Sequence, residues 1–283
     1  MGLTFKNQGE KDPEVRKKLN NNKGFKFDPQ SHKYLLGGVE LVSGTTIVAR
    51  YKKPFEKGMI SQLMANNNKR NKKAYLNTAE DIRRYWRLDG NRAACIGTAG
   101  HEFCEMFYLD PIGTVAKSRL ERNAHALMTS IVQKYDILEM EVSRGNKTHL
   151  IGYTIDIVLR NKVSGSVLIG DFKFAKAFTV EQYREQHKNK LPGYLLDPFR
   201  KLAMRNCVQH SGEIQLNLYK KLYEEDTGIQ VDGMVLFHVD GALADDWYEK
   251  GYQHYVVRDL GEEMDEILTP MKKTLSVLDV PGV

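Results

Sequence analysis

The sequence predicts an α/β fold, with a mixed central β-sheet flanked by helices and a basic, mainly helical region ahead of it. Three observations carry that prediction. Ile96, Ala99, Phe103 and Phe107 recur at helical spacing, which marks a helix over Asn91 to about Leu109. Three stretches of strand character follow in close succession, at about Ile137–Ser143, Leu150–Arg160 and Gly165–Phe174. Beyond them a strong helix over Glu213–Glu225 gives way to strands at Val231–Val239 and Tyr252–Val257 and a last helix from Asp259 to about Val277, an order that suits a layered α/β core.

The elements ahead of that core read in order as follows. Residues 1–23 are polar, with a basic run at Arg16, Lys17 and Lys18 and three asparagines at Asn20 to Asn22, and are expected to form a flexible basic arm. Phe25, Phe27, Tyr34 and Leu36 flank a turn around Asp28-Pro29 and lead to Gly37-Gly38, a hairpin signal. Ser43 can cap a helix over Thr45–Tyr51, which must stop before Pro54 because the residue ahead of proline disfavours the helical region. Two further helices are expected, at about Gly58–Asn71 and Thr78–Arg87, and another near Ser118–Tyr135 after the connection around Pro111-Ile112-Gly113. Lys188–Asp197 reads as a loop, and Gly228 ends the Glu213 helix. Three parts result: the arm over 1–23, a hairpin and basic helical subdomain over 24–90, and the α/β core over 91–283.

Composition narrows the function classes. The chain has 283 residues and 32.4 kDa, with 41% hydrophobic and 28% charged residues, the profile of an ordinary globular protein. No run of apolar residues is long enough to cross a membrane, and the first residues lack a secretory h-region, carry Glu10, Asp12 and Glu14, and have Lys6 where a myristoylation signal needs Ser or Thr. A soluble intracellular protein is expected. Cys95, Cys104 and Cys207 are too few and too scattered for a zinc site or an iron–sulfur cluster. Charge is uneven: residues 1–90 hold 19 lysines and arginines against 9 acids, and the remainder 23 against 27. A basic third beside an acidic catalytic half suits a polyanionic substrate, with phosphates drawn to one surface and carboxylates gathered around metal ions at the other. A solvated lysine-rich surface is the competing reading of the charge alone.

The stretch from Gly152 to Lys173 reads as a hairpin that brings two acids and an amine together. Side chains alternate along a strand, so Asp171 and Lys173 point the same way and Phe172 the opposite way. On the preceding strand, Ile155, Ile157 and Leu159 form an apolar face with Asp156 on the other. Two carboxylates offer hard oxygen ligands to Mg²⁺ or Mn²⁺, and such an ion polarises a phosphate and lowers the pKa of bound water. Lys173 can orient or help deprotonate that water and offset charge on a pentacoordinate transition state. Unpaired charges within the apolar run Val167–Lys173 would be costly, which favours a site over a surface ion pair. His101 adds an imidazole on the helix, and Gly97 one turn earlier is expected to let that helix approach the sheet. Gln215 and Tyr219, one turn apart, can bind a phosphate or position Lys173. Lys69, Arg70, Lys72, Lys73, Arg83, Arg84 and Arg87, interleaved with Tyr75, Tyr85 and Trp86, offer a nucleic-acid surface of cations and stacking rings, although such aromatics are more often core.

Gly97-Thr98-Ala99-Gly100-His101-Glu102, Gly152-Tyr153-Thr154-Ile155-Asp156, Asp171-Phe172-Lys173 and Gln215-Leu216-Asn217-Leu218-Tyr219 follow one another in an order and spacing that resemble the PD-(D/E)XK nuclease superfamily. The similarity spans about residues 91–240 and is greatest to its RecB-like branch, which includes phage and viral exonucleases and the mitochondrial genome maintenance exonuclease. The resemblance implies a restriction-endonuclease-like core. It also implies His101, Asp156, Asp171 and the Phe172 carbonyl as ligands of one or two Mg²⁺ or Mn²⁺ ions, with Glu141 as a supporting acid. Lys173 becomes the catalytic lysine and Gln215 with Tyr219 the fourth motif. Asp156 lacks the preceding proline common in this branch, and the cysteines of iron–sulfur members are absent, so no cluster is expected. The implied activity is a metal-dependent DNA nuclease, an exonuclease on single strands or ends. A structure-dependent or RNA-cleaving endonuclease is the alternative within enzymes, and a nucleic-acid-binding protein that lost catalysis is the alternative outside them. Oligomeric state is unreadable from the sequence.

Overall fold

The computed structural model describes residues 24–28, 31, 33–73, 75–239 and 251–277, the last eight of them as backbone only. The arm expected over 1–23, with its run Arg16–Lys18, lies outside the described residues, as do Pro29 and Gln30 in the turn of the first hairpin. In chain order the elements are β1 (Phe25–Asp28), β2 (Lys33–Leu36), β3 (Val39–Ser43), α1 (Gly44–Ala49), α2 (Lys57–Arg70), α3 (Ala79–Leu109) and α4 (Arg119–Lys134). They continue as β4 (Tyr135–Asn146), β5 (Ile151–Asn161), β6 (Val167–Phe174), α5 (Val180–Gln186), α6 (Val208–Thr227), β7 (Gly233–Val239), β8 (Tyr252–Val256) and α7 (Gly261–Val277). The mixed α/β architecture expected from the sequence is present. Among the described residues no helix is long and apolar enough to cross a membrane.

Helix starts follow side-chain capping. The Ser43 and Thr78 hydroxyls accept from the backbone N–H groups of Thr46 and Asp81, and Ser118 with Glu121 forms a reciprocal capping box. Gly228, in the left-handed region at φ 66°, closes α6 as expected. Two expectations need correction. The helices expected at Thr78–Arg87 and Asn91–Leu109 are one helix of 31 residues. Gly90 and Asn91 look like a break, but a single helical glycine costs only about 1 kcal/mol against alanine and removes no hydrogen bond. The boundary placed between residues 90 and 91 therefore falls inside continuous helix. Helix α5 adds an element to those expected, and Thr179 with Gln182 starts it by a second capping box. Helix α6 also begins before Glu213, at Val208.

The sheet has eight strands in the order β1-β2-β3-β5-β6-β7-β8, with β4 paired to β5 off that path. Strand β5 is its hub. Strand β4 runs antiparallel along one edge of it from Tyr135↔Asn161 to Asn146↔Ile151. The other edge is shared: β6 pairs antiparallel from Arg160↔Val167 to Ile157↔Gly170, and β3 pairs parallel at Ile151 and Gly152. Strands β6 and β7 are parallel, joined by the α5–α6 crossover.

Both faces of β5 are buried. Ile151, Tyr153, Ile155 and Val158 join the core beneath α1 and α6, whereas Ile157 and Leu159 join the core with Phe103, Phe107, Leu127 and Met128 of α3 and α4. The expectation of a single apolar face through Ile155, Ile157 and Leu159 is thus corrected: Ile155 joins one core and Ile157 with Leu159 the other, so the alternation breaks around Asp156, where the β5–β6 ladder ends. Phe172 lies in the α3–α4 core, opposite in direction to Asp171 and Lys173, as alternation requires.

The glycine that seats α3 on the sheet is Gly100, not Gly97. A β-carbon at Gly100 would lie 2.5 Å from three ring atoms of Phe174, whereas one at Gly97 would meet nothing within 4 Å. Gly100→Ala should therefore destabilise the protein by about 1–3 kcal/mol through overpacking. Gly97→Ala should stabilise it by about 0.5–1 kcal/mol through helix propensity. Denaturant unfolding of the two variants beside the parent decides this, and equal effects would contradict the assignment.

Candidate functional site

The site forms where β5 and β6 part. Their ladder ends at Ile157↔Gly170, so Asp156 and Asp171 are the first residues beyond it. There the Phe172 N–H donates to the Asp156 carboxylate (Oδ2, 2.7 Å) instead of to a neighbouring strand carbonyl. A side chain has taken over the ladder acceptor, which satisfies a buried N–H and pins the carboxylate against the sheet. Asp156 is 7% exposed and Asp171 2%.

Glu141 comes from β4. The pairs Met140↔Ile157 and Val142↔Ile155 bracket it and place it across from Asp156, with its own backbone in the left-handed region at φ 49°. A non-glycine residue held there is strained, and this one lies at the site. Helix α3 delivers His101, whose Nδ1 is 2.8 Å from Glu141 Oε1 and 3.7 Å from Asp156 Oδ2. Phe172 and Phe174 set the imidazole edge-on from below, with ring centroids 6.1 and 5.4 Å away. One donor atom from each of His101, Glu141 and Asp156 falls within 4.8 Å of the others.

The remaining residues form a second cluster beside the first. Lys173 Nζ lies 2.5 Å from Asp171 Oδ2 and donates to Gln215 Oε1 at 3.3 Å. Gln215 Nε2 donates in turn to Asp171 Oδ1 at 3.1 Å, which closes a ring of three side chains. Tyr219 stands behind this ring as packing: it is 3% exposed, its ring is 5.5 Å from that of Tyr153, and a β-carbon at Gly44 would come within 2.5 Å of it. Burial pushes its phenol well up, with Asp171 and Asp156 adding to the rise and Gln215 opposing it through a side-chain hydrogen bond.

Burial governs the charge states. It lifts the Asp156 carboxyl above its usual range, by more than the His101 charge pulls it back. It lifts Asp171 to about 7, against Lys173 and with the help of Asp156. Burial also opposes the charged forms of His101 and Lys173, but the acids outweigh it. Asp156 and Glu141 hold the imidazole up at about 9, and Asp171 with Asp156 holds the Lys173 amine above its ordinary value. Three acids thus face two cations in a poorly solvated space, an arrangement that strains without a further positive charge. Hard oxygen donors with one imidazole suit a divalent cation, so the residues fit an ion of that class.

The basic residues lie apart from this centre, on the α2–α3 hairpin. Lys69 and Arg70 end α2, Lys72 and Lys73 follow in the turn, and Arg84, Tyr85 and Arg87 are exposed along the first half of α3. Arg83 is tied to α2 through Ser61 Oγ at 3.0 Å, and Trp86 packs edge-on to Phe55 at 5.2 Å. Tyr75 and Tyr85 are exposed. One helix, α3, therefore carries both the basic surface and His101.

Among solved structures, one to which this chain is similar is a phage-related exonuclease from Haemophilus somnus 129PT. That structure is similar to this chain at 12% identity and a TM-score of 0.32, over 84% of this chain and 96% of that one. No family model and no curated protein matches. At that score the site rests on this chain's own geometry.

Sequence reasoning missed Lys52, Tyr183 and His187, which line a cavity of about 470 Å³ that also reaches Lys173 and Gln215. The capping box Thr179–Gln182 was the available signal for the helix that carries Tyr183.

If the His101–Glu141–Asp156 group holds a divalent ion, Mn²⁺ at one hundred times its Kd should stabilise the protein by about 2.7 kcal/mol over EDTA. The double variant Glu141→Ala, Asp156→Ala should lose that increment. Thermal unfolding with and without Mn²⁺ reads it, and an undiminished shift in the double variant would place the ion elsewhere.

Proposed function

We propose that this protein is a divalent-metal-dependent nuclease of restriction-endonuclease-like fold that hydrolyses phosphodiester bonds in DNA, working on single strands or ends. The observation that carries the reading is the pairing of two clusters at one strand divergence. His101, Glu141 and Asp156 offer a cation site, and Asp171, Lys173 and Gln215 hold an ammonium next to it. The ordered sequence motifs that resemble the RecB-like branch support it, and the preference for single strands or ends rests on that resemblance.

The ligand set is Asp156 and His101 with Glu141, and Asp171 and the Phe172 carbonyl on the β6 side. Glu141 moves from a supporting place to a central one, because it and not Asp171 contacts the imidazole. The ion supplies Lewis acidity toward a phosphate oxygen and a more acidic bound water. Lys173, kept as an ammonium by Asp171 and Asp156, suits charge stabilisation in the pentacoordinate transition state better than proton abstraction. Gln215 fixes the direction of that ammonium by accepting from it while holding Asp171. Tyr219 supports Gln215 from the core.

The α2–α3 hairpin serves as the grip. Exposed Lys69, Arg70, Lys72, Lys73 and Arg84 supply phosphate contacts, Tyr75 and Tyr85 supply stacking faces, and Arg83 and Trp86 hold the hairpin together.

Linear and circular, single- and double-stranded DNA, and RNA, offered with Mg²⁺, Mn²⁺ or EDTA, test the activity. Cleavage of linear single strands in Mg²⁺ or Mn²⁺ is expected, absent in EDTA and reduced at least 100-fold in Lys173→Ala. Cleavage that survives EDTA or that variant would refute the mechanism, and degraded circles would remove the preference for ends. Charge reversal at Lys69, Arg70, Lys72 and Lys73 should weaken single-strand binding. It should also flatten the salt dependence by about 0.7 in log–log slope for each phosphate that is no longer neutralised. Filter binding across a salt series measures this, and an unchanged slope would return the hairpin to plain surface.

A further inference from the structure

The cavity beside Lys173 and Gln215 extends beyond the groups that the chemistry above uses. Its walls come from four places in the chain: Lys52 just after α1, Lys173 at the end of β6, Tyr183 on α5 with His187 at its C-cap, and Ser211 and Gly212 in the first turns of α6. Each contributes something a nucleotide needs. Tyr183 and His187, one helical turn apart, lie against each other with ring centroids 4.1 Å apart and planes inclined at 31°. They form an aromatic wall that is partly open to solvent. Lys52 has no carboxylate partner among the described residues, and burial together with the Lys173 charge holds its amine below the ordinary lysine value. Two ammonium groups facing one cavity, only one of them paired, leave room for an anion.

The start of α6 points the same way. Its N-cap, Cys207, makes no side-chain capping bond, and of the first N–H groups of this 20-residue helix that of Gln209 donates to the Phe178 carbonyl. The Ser211 hydroxyl is buried and has no hydrogen-bond partner among the described residues. Buried hydroxyls are ordinarily satisfied, so this one is a donor held in reserve at the cavity wall. Gly212 keeps this wall low, since a β-carbon there would sit 2.7 Å from Leu236 and 3.4 Å from the Lys173 side chain. At about 470 Å³ the space has the size of a small-ligand pocket.

We propose that this cavity seats one unpaired nucleotide of the substrate, next to the phosphate held at the catalytic centre. Its base stacks on the Tyr183–His187 wall, and its own phosphate lies between Lys52 and the start of α6. The assignment rests on the nuclease reading. A base inside a duplex already stacks on its neighbours and cannot also lie on this wall, so the pocket selects unpaired strand. Single-strand preference then has a structural origin in this chain, separate from the basic hairpin.

The test is equilibrium binding in EDTA, where no cleavage occurs, with deoxyadenosine 5′-monophosphate, deoxyadenosine and inorganic phosphate as probes. The monophosphate should bind more tightly than either of the others. Tyr183→Ala should weaken the monophosphate about tenfold, within the range measured for base–aromatic stacking, and leave inorganic phosphate unchanged. Lys52→Gln should weaken the monophosphate and inorganic phosphate and spare deoxyadenosine. Tyr183 and Lys52 are both partly exposed, and unfolding curves verify that the variants fold. Tyr183→Trp gives an independent readout, with fluorescence quenched by the monophosphate and not by inorganic phosphate. No binding of the monophosphate to the parent, equal binding in both variants, or phosphate binding as tightly as the monophosphate would overturn the proposal. Those failures with metal-dependent cleavage intact would remove the pocket alone. Nucleotide binding intact with no cleavage of any substrate would remove the nuclease reading.

Discussion

The structure depends on the hydrogen bond between the Phe172 N–H and the Asp156 carboxylate. A strand that leaves its neighbour strands buried N–H and C=O groups, and each such group costs about as much as a hydrogen bond left unmade. Strand β5 leaves β6 beyond Ile157↔Gly170, and Asp156 meets that cost with its side chain. The same contact opens the sheet, fixes a carboxylate at the opening and brings Asp171 to the other lip. Strand β3 then takes the vacated edge of β5 at Ile151 and Gly152, so the opening is bounded at both ends. It is a gap in a continuous sheet.

Charges placed in such a gap must find partners, and the two clusters do so in different ways. Asp171, Lys173 and Gln215 are linked by one ion pair and two hydrogen bonds, which fix the direction of the ammonium. His101, Glu141 and Asp156 are arranged around a space their donor atoms share. Burial raises both aspartates, so the ionised forms are held at a cost that a divalent cation offsets. Order on one side and carboxylates around a shared space on the other is the combination on which the proposed metal-assisted cleavage rests.

Helix α3 couples this centre to the basic hairpin. A helix of 31 residues spans about 46 Å at the usual rise, so the basic residues along its first half lie at a set distance from His101. Gly100 seats the lower half on Phe174, and the Phe172 and Phe174 rings orient the imidazole. Packing deep in the α3–α4 core thereby sets the geometry of a polar group at the surface of the gap.

Much of this was legible in particular residues. The two-residue spacing of Asp171 and Lys173 dictates a shared side of a strand, and the four-residue spacing of Gln215 and Tyr219 a shared face of a helix. Ser43, Thr78, Ser118 and Gly228 mark helix ends. Each of these follows from local geometry that neighbouring residues carry themselves. Three features were not legible, and each depends on contacts between segments far apart in the chain. Glu141 meets His101 only through the register of β4 against β5 and a left-handed backbone, neither of which its neighbours announce. Gly97 and Gly100 are equivalent in sequence, and only the position of Phe174 decides which one the helix needs. The cavity of Lys52, Tyr183 and His187 draws on separate segments of the chain. The sequence by itself determined which groups share a face within each element. The tertiary structure alone decided which elements face one another, because strand register and helix seating are set by packing across the whole sheet and not by any local run of residues.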